Sequence, residues 1–308
     1  ATVRRGDKQW AVRMSGSRPD DKLQQQVGPY RIEVVEPFHR IRIICDADDH
    51  GLGFDLTYSS DYGPVSEPQH IRRQGDRILL DASRFAGVGT WSGELRFDGE
   101  TVTVTPDRFT ATRDRSWGIR PVGEPEPPGK PNDFSGMWWL WIPLKFDDFM
   151  LHVILEEDMH GNRNTNFAIK QYPASTGKPI EQLGWPLPEI TYKSGTRWPT
   201  GANIDLTARD GKVSTLSIEP IVGIPLNVGC GYGADPEWSH GLWKGDDWIE
   251  GSTYDHNDPE VTGRAGFSIA DHIARATFEG QDGWGIFEHA AVGPHAPSGF
   301  KDFLDTAP

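Results

Sequence analysis

The chain has 308 residues, of which 36% are hydrophobic and 25% are charged, and it carries a formal net charge of −14. Because this length exceeds the usual size of a single hydrophobic core, two domains are favoured. The acidic balance argues against nucleic acid and anionic membranes as partners, since both would be repelled.

The predicted elements are mostly β-strands, because short alternating or β-branched runs are bounded by turn residues throughout a chain with 35 glycines and 24 prolines. Two short helices are predicted, DDKLQQQV at residues 20–27 and FKDFLDT at residues 300–306. FDGE at residues 97–100 and DGK at residues 210–212 are hairpin signals. The predicted fold class is therefore all-β with little helix. Strands are predicted within residues 30–46, 51–60, 93–106 and 148–158.

One stretch has the composition of a linker. Residues 121–133 read PVGEPEPPGKPND, and the prolines disfavour pairing in a sheet and push the preceding residues to extended geometry. An aromatic burst, FSGMWWLWIPL, follows directly and indicates a new core. We therefore predict an N-terminal β-domain over 1–122, a Pro-rich linker over 123–133 and a C-terminal β-domain over 134–308.

Three short sequence echoes recur in the same order on either side of this linker. The clearest is Trp-Gly-Ile, which occurs at 117–119 and again at 284–286. One echo is expected by chance, but three in one order favour an internal duplication of an antiparallel barrel or sandwich. The other two echoes pair Phe54-Asp55-Leu56-Thr57 with Ile204-Asp205-Leu206-Thr207, and Trp91-Ser92 with Trp238-Ser239.

If both Trp-Gly-Ile segments are strands, side-chain alternation assigns their charged neighbours to faces. Arg113 and Arg115 share one face of the first segment, whereas Asp114 lies on the other. Asp282 and Glu288 share the corresponding face of the second segment. A pseudo-twofold axis would bring the arginines to these carboxylates, which predicts an ion-pair seam between the domains. The alternative is that the charged groups line a functional site.

The sequence supports neither a metal nor a nucleotide cofactor. Cys45 and Cys230 are the two cysteines, and neither has the spacing of a zinc site or of a disulfide framework. GCGYGA at residues 229–234 resembles a dinucleotide loop, but Asp235-Pro236 follows where a helix would have to begin. No segment has the ~18 apolar residues of a membrane span, and no secretory leader is recognised. A cytoplasmic location is expected.

Aromatic residues are abundant, with 12 Trp, 14 Phe and 7 Tyr, and many are interleaved with polar residues between 230 and 248. One interpretation is that they fill a barrel core beneath charged rim loops. The other is an aromatic cavity for an apolar small molecule, which would raise the pKa of a carboxyl group facing it and so create a general acid. The candidates for such a cavity are Tyr232, Trp238, His240 and Trp243.

The sequence RDRSWGIRP, preceded by VEPFHRIRI and followed by DPEWSHGLWKG and GWGIFEH, resembles the superfamily of tandem lipocalin-like proteins. This superfamily includes the attachment-H-like proteins and the carotenoid 1,2-hydratases (hydroxyneurosporene synthase). The R-D-x-S-W-G signature is complete at residues 113–118, and the resemblance covers about residues 30–289. It implies two lipocalin-like barrels and cofactor-free chemistry on hydrophobic polyenes or terpenoid-like molecules.

The chemistry implied by the resemblance is acid-catalysed hydration or dehydration of an alkene. In this hypothesis Asp114 donates the proton, Arg115 or His289 orients it, and Glu288 is a second candidate acid. Aromatic rings would stabilise the carbocation, each by roughly 0.5 to 2 kcal/mol. The rings proposed for this role are Trp117, Trp243 and Trp284.

Two other functions remain open at the level of sequence. A non-catalytic carrier of lipophilic molecules would use the same cavity without proton chemistry. A cofactor-free cyclase or isomerase would depend on the shape of the cavity rather than on an acid. In each case the expected partner is a hydrophobic small molecule, and the oligomeric state is left undetermined.

Overall fold

A computed structural model describes residues 1–17, 19–21, 24–74, 76–120, 136–233, 235 and 237–308. Within these residues the chain is all-β, as the sequence predicts, with two large antiparallel sheets and one small one. The first strands are β1 (Thr2–Arg5), β2 (Lys8–Met14), β3 (Gln25–Val27), β4 (Tyr30–Glu36), β5 (Arg40–Ala47), β6 (Leu52–Ser59), β7 (Val65–Ser66), β8 (His70–Gln74), β9 (Arg77–Phe97), β10 (Glu100–Val104) and β11 (Thr110–Ile119).

The remaining strands and the α-helix follow the segment 121–135. Single 3-10 turns occur at Asp48–His50, Ala174–Thr176 and Ala296–Ser298. The α-helix of the described residues, α1, spans Pro259–Ala265. The strands are β12 (Met137–Lys145), β13 (Met150–Glu157), β14 (Arg163–Gln171), β15 (Glu181–Gln182), β16 (Leu187–Tyr192), β17 (Pro199–Thr207), β18 (Val213–Pro225), β19 (Ile249–Asp255), β20 (Ala270–Phe278) and β21 (Gln281–Val292).

The sheet of the first half, β3 to β11, is organised by the 21-residue strand β9. The C-terminal part of β9 pairs with β6 on one side and with β10 on the other. Its N-terminal part pairs over ten residues with β11, so the same strand serves two regions of a curled sheet. Trp10, Leu52, Phe54 and Phe97 are buried in the core of this half.

The sheet of the second half has the order β15-β14-β13-β12-β21-β20-β18-β17-β16 among the described residues. Alternation along β20 buries every second side chain, as expected for strands with one face on a core. The opposite face of β12 and β21 is turned toward the first half, where Trp139, Trp141 and Ala290 pack with Ala86 of β9. The sheet thus has a core on one side and a contact between the two halves on the other.

The small sheet connects distant parts of the chain. Its order is β1-β2-β19, and Lys8–Met14 pairs along its whole length with Ile249–Asp255. The first strands of the chain are therefore completed by a strand that lies far along the second half.

Both predicted hairpins are confirmed. Asp98 and Gly99 connect β9 to β10 with positive φ values of 54° and 73°, the conformation that an Asp-Gly turn favours. Gly211, with a φ of 87°, connects β17 to β18. The four predicted strand regions also contain strands, and the first of them holds the hairpin of β4 and β5.

The two predicted helices are wrong. Residues 25–27, inside the first, form β3 and pair with β4. The second, at 300–306, is not helical, because the carbonyl oxygens of Asp302 and Asp305 accept hydrogen bonds from the buried Arg197 side chain instead of from a following turn. The helix that does form, α1, begins with Asp258, whose side chain accepts from the Glu260 backbone N–H.

Only part of the predicted duplication has a structural counterpart. The Phe54 and Ile204 echoes lie on β6 and β17, and the two Trp-Gly-Ile segments lie on β11 and β21. Trp91 lies on β9, however, whereas Trp238 lies in a loop, so this pair does not occupy equivalent strands.

The glycine of each Trp-Gly-Ile segment has the same packing reason. A Cβ atom at Gly118 would lie 2.0 Å from the Asp81 carbonyl oxygen of β9, and one at Gly285 would lie 2.1 Å from that of Pro143 on β12. A neighbouring strand approaches both positions too closely for any side chain.

The proposed linker, 123–133, lies outside the described residues, and the domain limits of 122 and 134 stay a prediction. Along the part of the chain that the structure describes, no helix has the length and apolar character needed to cross a membrane.

Candidate active site between the two halves

Four carboxyl groups lie where β9 and β11 of the first half face the sheet of the second half. We call Glu67, Asp114, Asp271 and Glu288 the interface acid cluster. The negative charge of Asp114 raises the pKa of Glu67 and of Asp271. The negative charge of Asp271 raises the pKa of Glu288. Burial raises the pKa of Glu67, Asp114 and Glu288, and the positive charge of Arg84 opposes this rise in all three. The cluster is therefore a set of acids grouped around an arginine.

Glu67 is held by groups from both halves. Its Oε2 lies 3.2 Å from Arg84 Nε, and its Oε1 accepts a 2.8 Å hydrogen bond from the Trp141 indole N–H. Burial raises the pKa of Glu67 to about 7, although Arg84 and Trp141 oppose the rise. The neighbouring His152 is fully buried, which lowers its pKa to about 3 and keeps the ring neutral. Glu67 can therefore exchange a proton near neutral pH.

Trp139 is fixed between two side chains of the first half. The ring of His70 stacks on it at 5.6 Å, and the guanidinium of Arg84 lies 5.3 Å from its centroid. Arg84 also donates to His70 Nδ1 at 3.1 Å, and Nε2 of His70 lies 2.9 Å from Glu156. This network fixes the position from which the Trp139 N–H donates to Glu288.

Asp271 and Glu288 are cross-strand partners on β20 and β21, and each acts on the pKa of the other. Burial raises the pKa of both, and the proximity of Asp271 raises that of Glu288 further. Two carboxylates this close cannot both ionise without strong repulsion, so the pair retains a proton at pH values at which ordinary carboxyl groups have lost theirs. This is the arrangement expected of a general acid.

Asp114 and Glu288, the acids that the sequence suggested, do belong to one cluster. Asp114 is exposed to solvent, yet desolvation by the surrounding protein raises its pKa. Arg84 and Arg120 oppose that rise.

Tyr232 lies within electrostatic reach of the cluster. Burial raises the pKa of Tyr232, and the negative charges of Glu288, Asp271 and Asp114 contribute to the shift. His240 lies 4.8 Å from the Tyr232 ring and 5.6 Å from that of Trp238, and its pKa is lowered by burial and by Arg120. Three of the suggested ligand-binding residues thus form one aromatic group, and the charges of the cluster act on it through Tyr232.

The predicted ion-pair seam is not formed by the arginines of RDRSWG. Arg113 lies 5.1 Å from the Phe85 ring, and Arg115 donates a 3.3 Å hydrogen bond to Gln25. Neither reaches Asp282, which accepts from Thr277, or Glu288. The alternation assigned to β11 is the reason, because it turns Asp114 rather than the arginines toward the second half. Arg115 consequently does not orient Asp114.

His289 also lies apart from the acids. It follows Glu288 on β21 and therefore projects from the opposite face, into the core of the second half. There its Nδ1 hydrogen bonds to the Trp139 carbonyl oxygen at 2.8 Å and its Nε2 to the Tyr192 hydroxyl at 2.9 Å. The expectation that His289 orients Asp114 is wrong for this reason of strand geometry.

The three tryptophans proposed as cation walls are dispersed. Trp117 packs at 6.3 Å on Phe85, on the face of β11 opposite to Asp114. Trp284 shares a face with Glu288 but lies four residues along β21, about 13 Å away. Trp243 is 59% exposed. Tyr232 is 47% exposed, and the charges of Glu288, Asp271 and Asp114 reach its hydroxyl group.

Sequence reasoning missed Glu67, Arg84, Asp271, Trp139 and Trp141. Asp271 could have been found only with the register of β20 against β21, because it is the cross-strand partner of Glu288. The two tryptophans carried a signal, since alternation in WWLW separates them from Trp138. Glu67 lies outside the strands in SEPQH, and nothing in its neighbourhood marks it.

No three His, Cys, Asp or Glu side chains come together in a geometry that could hold a metal ion, within the part of the chain that the structure describes.

Comparison with protein families gives one match, to the model of a family of unknown function (DUF8625), over residues 1–301. The chain belongs to this family. Comparison with curated proteins gives no match.

This DUF8625 chain is similar in fold to the crystal structure of a “putative AttH” from Nitrosomonas europaea. The TM-score is 0.51 at 14% sequence identity, and the match covers 87% of this chain and 70% of that one. At this identity the similarity concerns the fold, and it supports the tandem lipocalin-like architecture predicted from the sequence.

Proposed function

We propose that this protein is a cofactor-independent enzyme that protonates a hydrophobic small molecule at the interface acid cluster. The observation that carries the proposal is the Asp271–Glu288 pair beside Trp139. Burial raises the pKa of both carboxyl groups, the charge of Asp271 raises that of Glu288 further, and the charge of Asp114 raises that of Asp271. Enzymes tune carboxyl groups in this way to act as acids at neutral pH. The favoured reaction is hydration of an alkene, or the reverse dehydration.

In the hydration direction, Glu288 transfers its proton to one alkene carbon and becomes a carboxylate, while the other carbon becomes a carbocation. A water molecule then attacks the cation, and the proton it releases returns to the Asp271–Glu288 pair. The accessible ring of Tyr232 is placed to stabilise the cation, by roughly 0.5 to 2 kcal/mol. The positive charge of Arg84 partly offsets the negative charge that forms when Glu288 ionises.

Asp114 has a different role in this proposal from the one its sequence motif suggested. It is exposed, whereas Glu288 is enclosed by Asp271 and Trp139. We therefore assign the proton transfer to Glu288 and the binding of the attacking water to Asp114.

The two alternative functions, a cyclase or isomerase and a carrier, differ from the hydratase in that neither needs a proton from the carboxyl groups. A cyclase or isomerase that works by shape would keep its rate after Glu288→Gln but lose it when the space near Tyr232 is filled. A carrier would retain its ligand unchanged. The lipocalin-like fold is compatible with each of these functions, because such folds enclose small apolar ligands.

The decisive experiment is to incubate the purified protein with a hydrophobic extract of its source cells and to identify bound and converted molecules by mass spectrometry. We expect a retained olefin together with a product heavier by one water. Glu288→Gln should reduce product formation by about 100-fold or more, because a general acid contributes roughly that factor. Asp114→Asn should reduce it less.

Asp282→Asn is the matched control, because Asp282 lies on the same strand and face as Glu288 but is exposed and bonded to Thr277. It should leave conversion unchanged. Conversion by Glu288→Gln at the rate of the unaltered protein would overturn the acid assignment, and an unmodified ligand held by every variant would establish the carrier.

A further inference from the structure

A second concave site lies within the second half, on the other side of β12 and β21 from the acid cluster. It is a pocket of about 920 Å³, a volume typical of small-molecule sites. Trp138 and Tyr192 line it on the side of the core, and Trp185, Leu187 and Ile190 contribute further apolar surface. This pocket uses none of the residues of the acid cluster.

Three polar residues of the pocket form a continuous hydrogen-bonded chain. The Ser298 hydroxyl lies 2.8 Å from Nδ1 of His295, and Nε2 of the same ring lies 3.1 Å from Oε2 of Glu157. All three side chains line the pocket. Glu157 and His295 are buried, whereas Ser298 remains partly accessible. The accessible end of the chain is thus the hydroxyl group.

The ionisation state of Glu157 determines which atom donates in each of these hydrogen bonds. Burial tends to raise its pKa, but hydrogen bonds from His295 and Arg163 outweigh that effect and lower it, so the carboxylate is ionised at neutral pH. A carboxylate only accepts, so Nε2 of His295 must carry a hydrogen. In the neutral ring Nδ1 is then an acceptor, and Ser298 donates its hydroxyl proton to it.

The histidine and the glutamate are both held in place. The ring of Trp138 stacks on His295 at 5.1 Å with an interplanar angle of 14°. Arg163 Nε donates to the remaining oxygen of Glu157 at 3.0 Å. A nucleophile, a base and a group that orients the base are therefore assembled at hydrogen-bond distances, which is the arrangement that activates serine in acyl transfer.

We propose that Ser298, His295 and Glu157 form a second, esterase-like site that cleaves carboxylic esters through an acyl-serine. Ser298 Oγ bonds to the ester carbonyl carbon as its proton passes to His295 Nδ1. The C–O bond to the alcohol then breaks, and the alkoxide takes that proton. Water attacks the acyl-serine with the same base, which releases the carboxylic acid and restores the hydroxyl group.

The walls of the pocket indicate the class of ester. Glu189 and Asp205 line it together with Glu157, so an anionic substrate would be repelled. The aromatic and aliphatic surface from Trp138, Trp185 and Leu187 favours an apolar acyl or alcohol group. The expected substrates are therefore uncharged or cationic esters with an apolar part that fits within the pocket.

The test uses the full chain and an uncharged fluorophosphonate carrying a reporter group, which phosphonylates activated serines. We expect a single labelled peptide that contains Ser298, located by mass spectrometry, and hydrolysis of p-nitrophenyl butyrate that this labelling abolishes. Folded protein that leaves Ser298 unlabelled would overturn the proposal without recourse to any variant.

Variants then separate activation from simple accessibility. His295→Gln and Glu157→Gln should each slow labelling, the first by about 100-fold or more, because loss of the base or its orienting group removes activation. Ser217→Ala is the control, because Ser217 is a serine on strand β18 outside the relay of Ser298, His295 and Glu157. Ser298 of this variant should be labelled at the normal rate. Equal labelling rates in folded His295→Gln and unaltered protein would refute the activation of Ser298 by His295. Glu288→Gln should leave the labelling unchanged, which separates this site from the acid cluster.

Discussion

The two Trp-Gly-Ile segments share a packing solution but differ in chemistry. In both, the glycine lets a neighbouring strand approach to within about 2 Å of where a Cβ atom would lie. Around that shared feature, β11 presents the exposed Asp114, whereas β21 presents the enclosed Glu288 on one face and the buried His289 on the other. The comparison teaches that a repeated motif can fix backbone spacing while the charges around it acquire separate roles.

The largest expected loss of stability comes from replacing the glycine that the two Trp-Gly-Ile segments share. Gly285→Ala should destabilise the protein by about 4 kcal/mol, because the new Cβ meets Pro143 backbone between two paired strands. Gly118→Ala should cost about 2 kcal/mol, since Gly118 pairs with β9 near the end of β11. Urea unfolding measures both.

The helical Gly263 provides the matched control, because a Cβ there meets open space. Gly263→Ala should change stability by less than about 1 kcal/mol. If Gly118 and Gly285 tolerated alanine as well as Gly263 does, close strand approach would not explain the motif.

The next effect concerns the acids on the two strands. Glu288 has a pKa raised above 4.5 in the folded state, so the stability it contributes is present at low pH and is lost as pH rises from 4.5 through the folded value. Glu288→Gln removes this loss, so the variant should gain stability relative to the unaltered protein as the pH rises above 4.5. Asp114→Asn should show a smaller gain of the same sign, because Asp114 is exposed.

The unfolding free energy of each variant, measured by urea titration across that pH range, checks the sign. Glu67→Gln calibrates the result, since the pKa of Glu67 near 7 corresponds to a loss of up to about 3 kcal/mol between pH 4.5 and 7. A Glu288→Gln variant that loses stability with rising pH as steeply as the unaltered protein would contradict the pKa shift.

The smallest effect concerns the arginine of the first motif. Arg115 is exposed and donates to Gln25, so Arg115→Ala should change stability by less than about 0.5 kcal/mol. A loss above about 2 kcal/mol would instead support the ion-pair seam that the sequence suggested. Differential scanning calorimetry resolves the two cases.

Much of the fold could be predicted from local signals. Alternation and Asp-Gly turns identified the strands and hairpins, because these features depend on neighbouring residues. The helix at 300–306 was mispredicted because Arg197, distant in sequence, takes the carbonyl groups that a helix would use.

The site was less accessible to sequence reasoning. Asp114, Glu288 and Tyr232 could be named, because alternation and the surrounding aromatic residues mark them. Their partners Asp271 and Glu67 could not, since each becomes a partner only through strand register or through the contact between the two halves. The same limit applies to Glu157 and His295, which are separated by 138 positions along the chain.

The pairing of β2 with β19 has a consequence for how the chain acquires its structure during synthesis. Residues 8–14 leave the ribosome long before their partner at 249–255 is made. Until then one edge of β2 stays open to other strands, and closing so long a loop is slow. The nascent protein should therefore be vulnerable to aggregation until residues 249–255 are made, and chaperones that cover exposed strand edges would protect it up to that point.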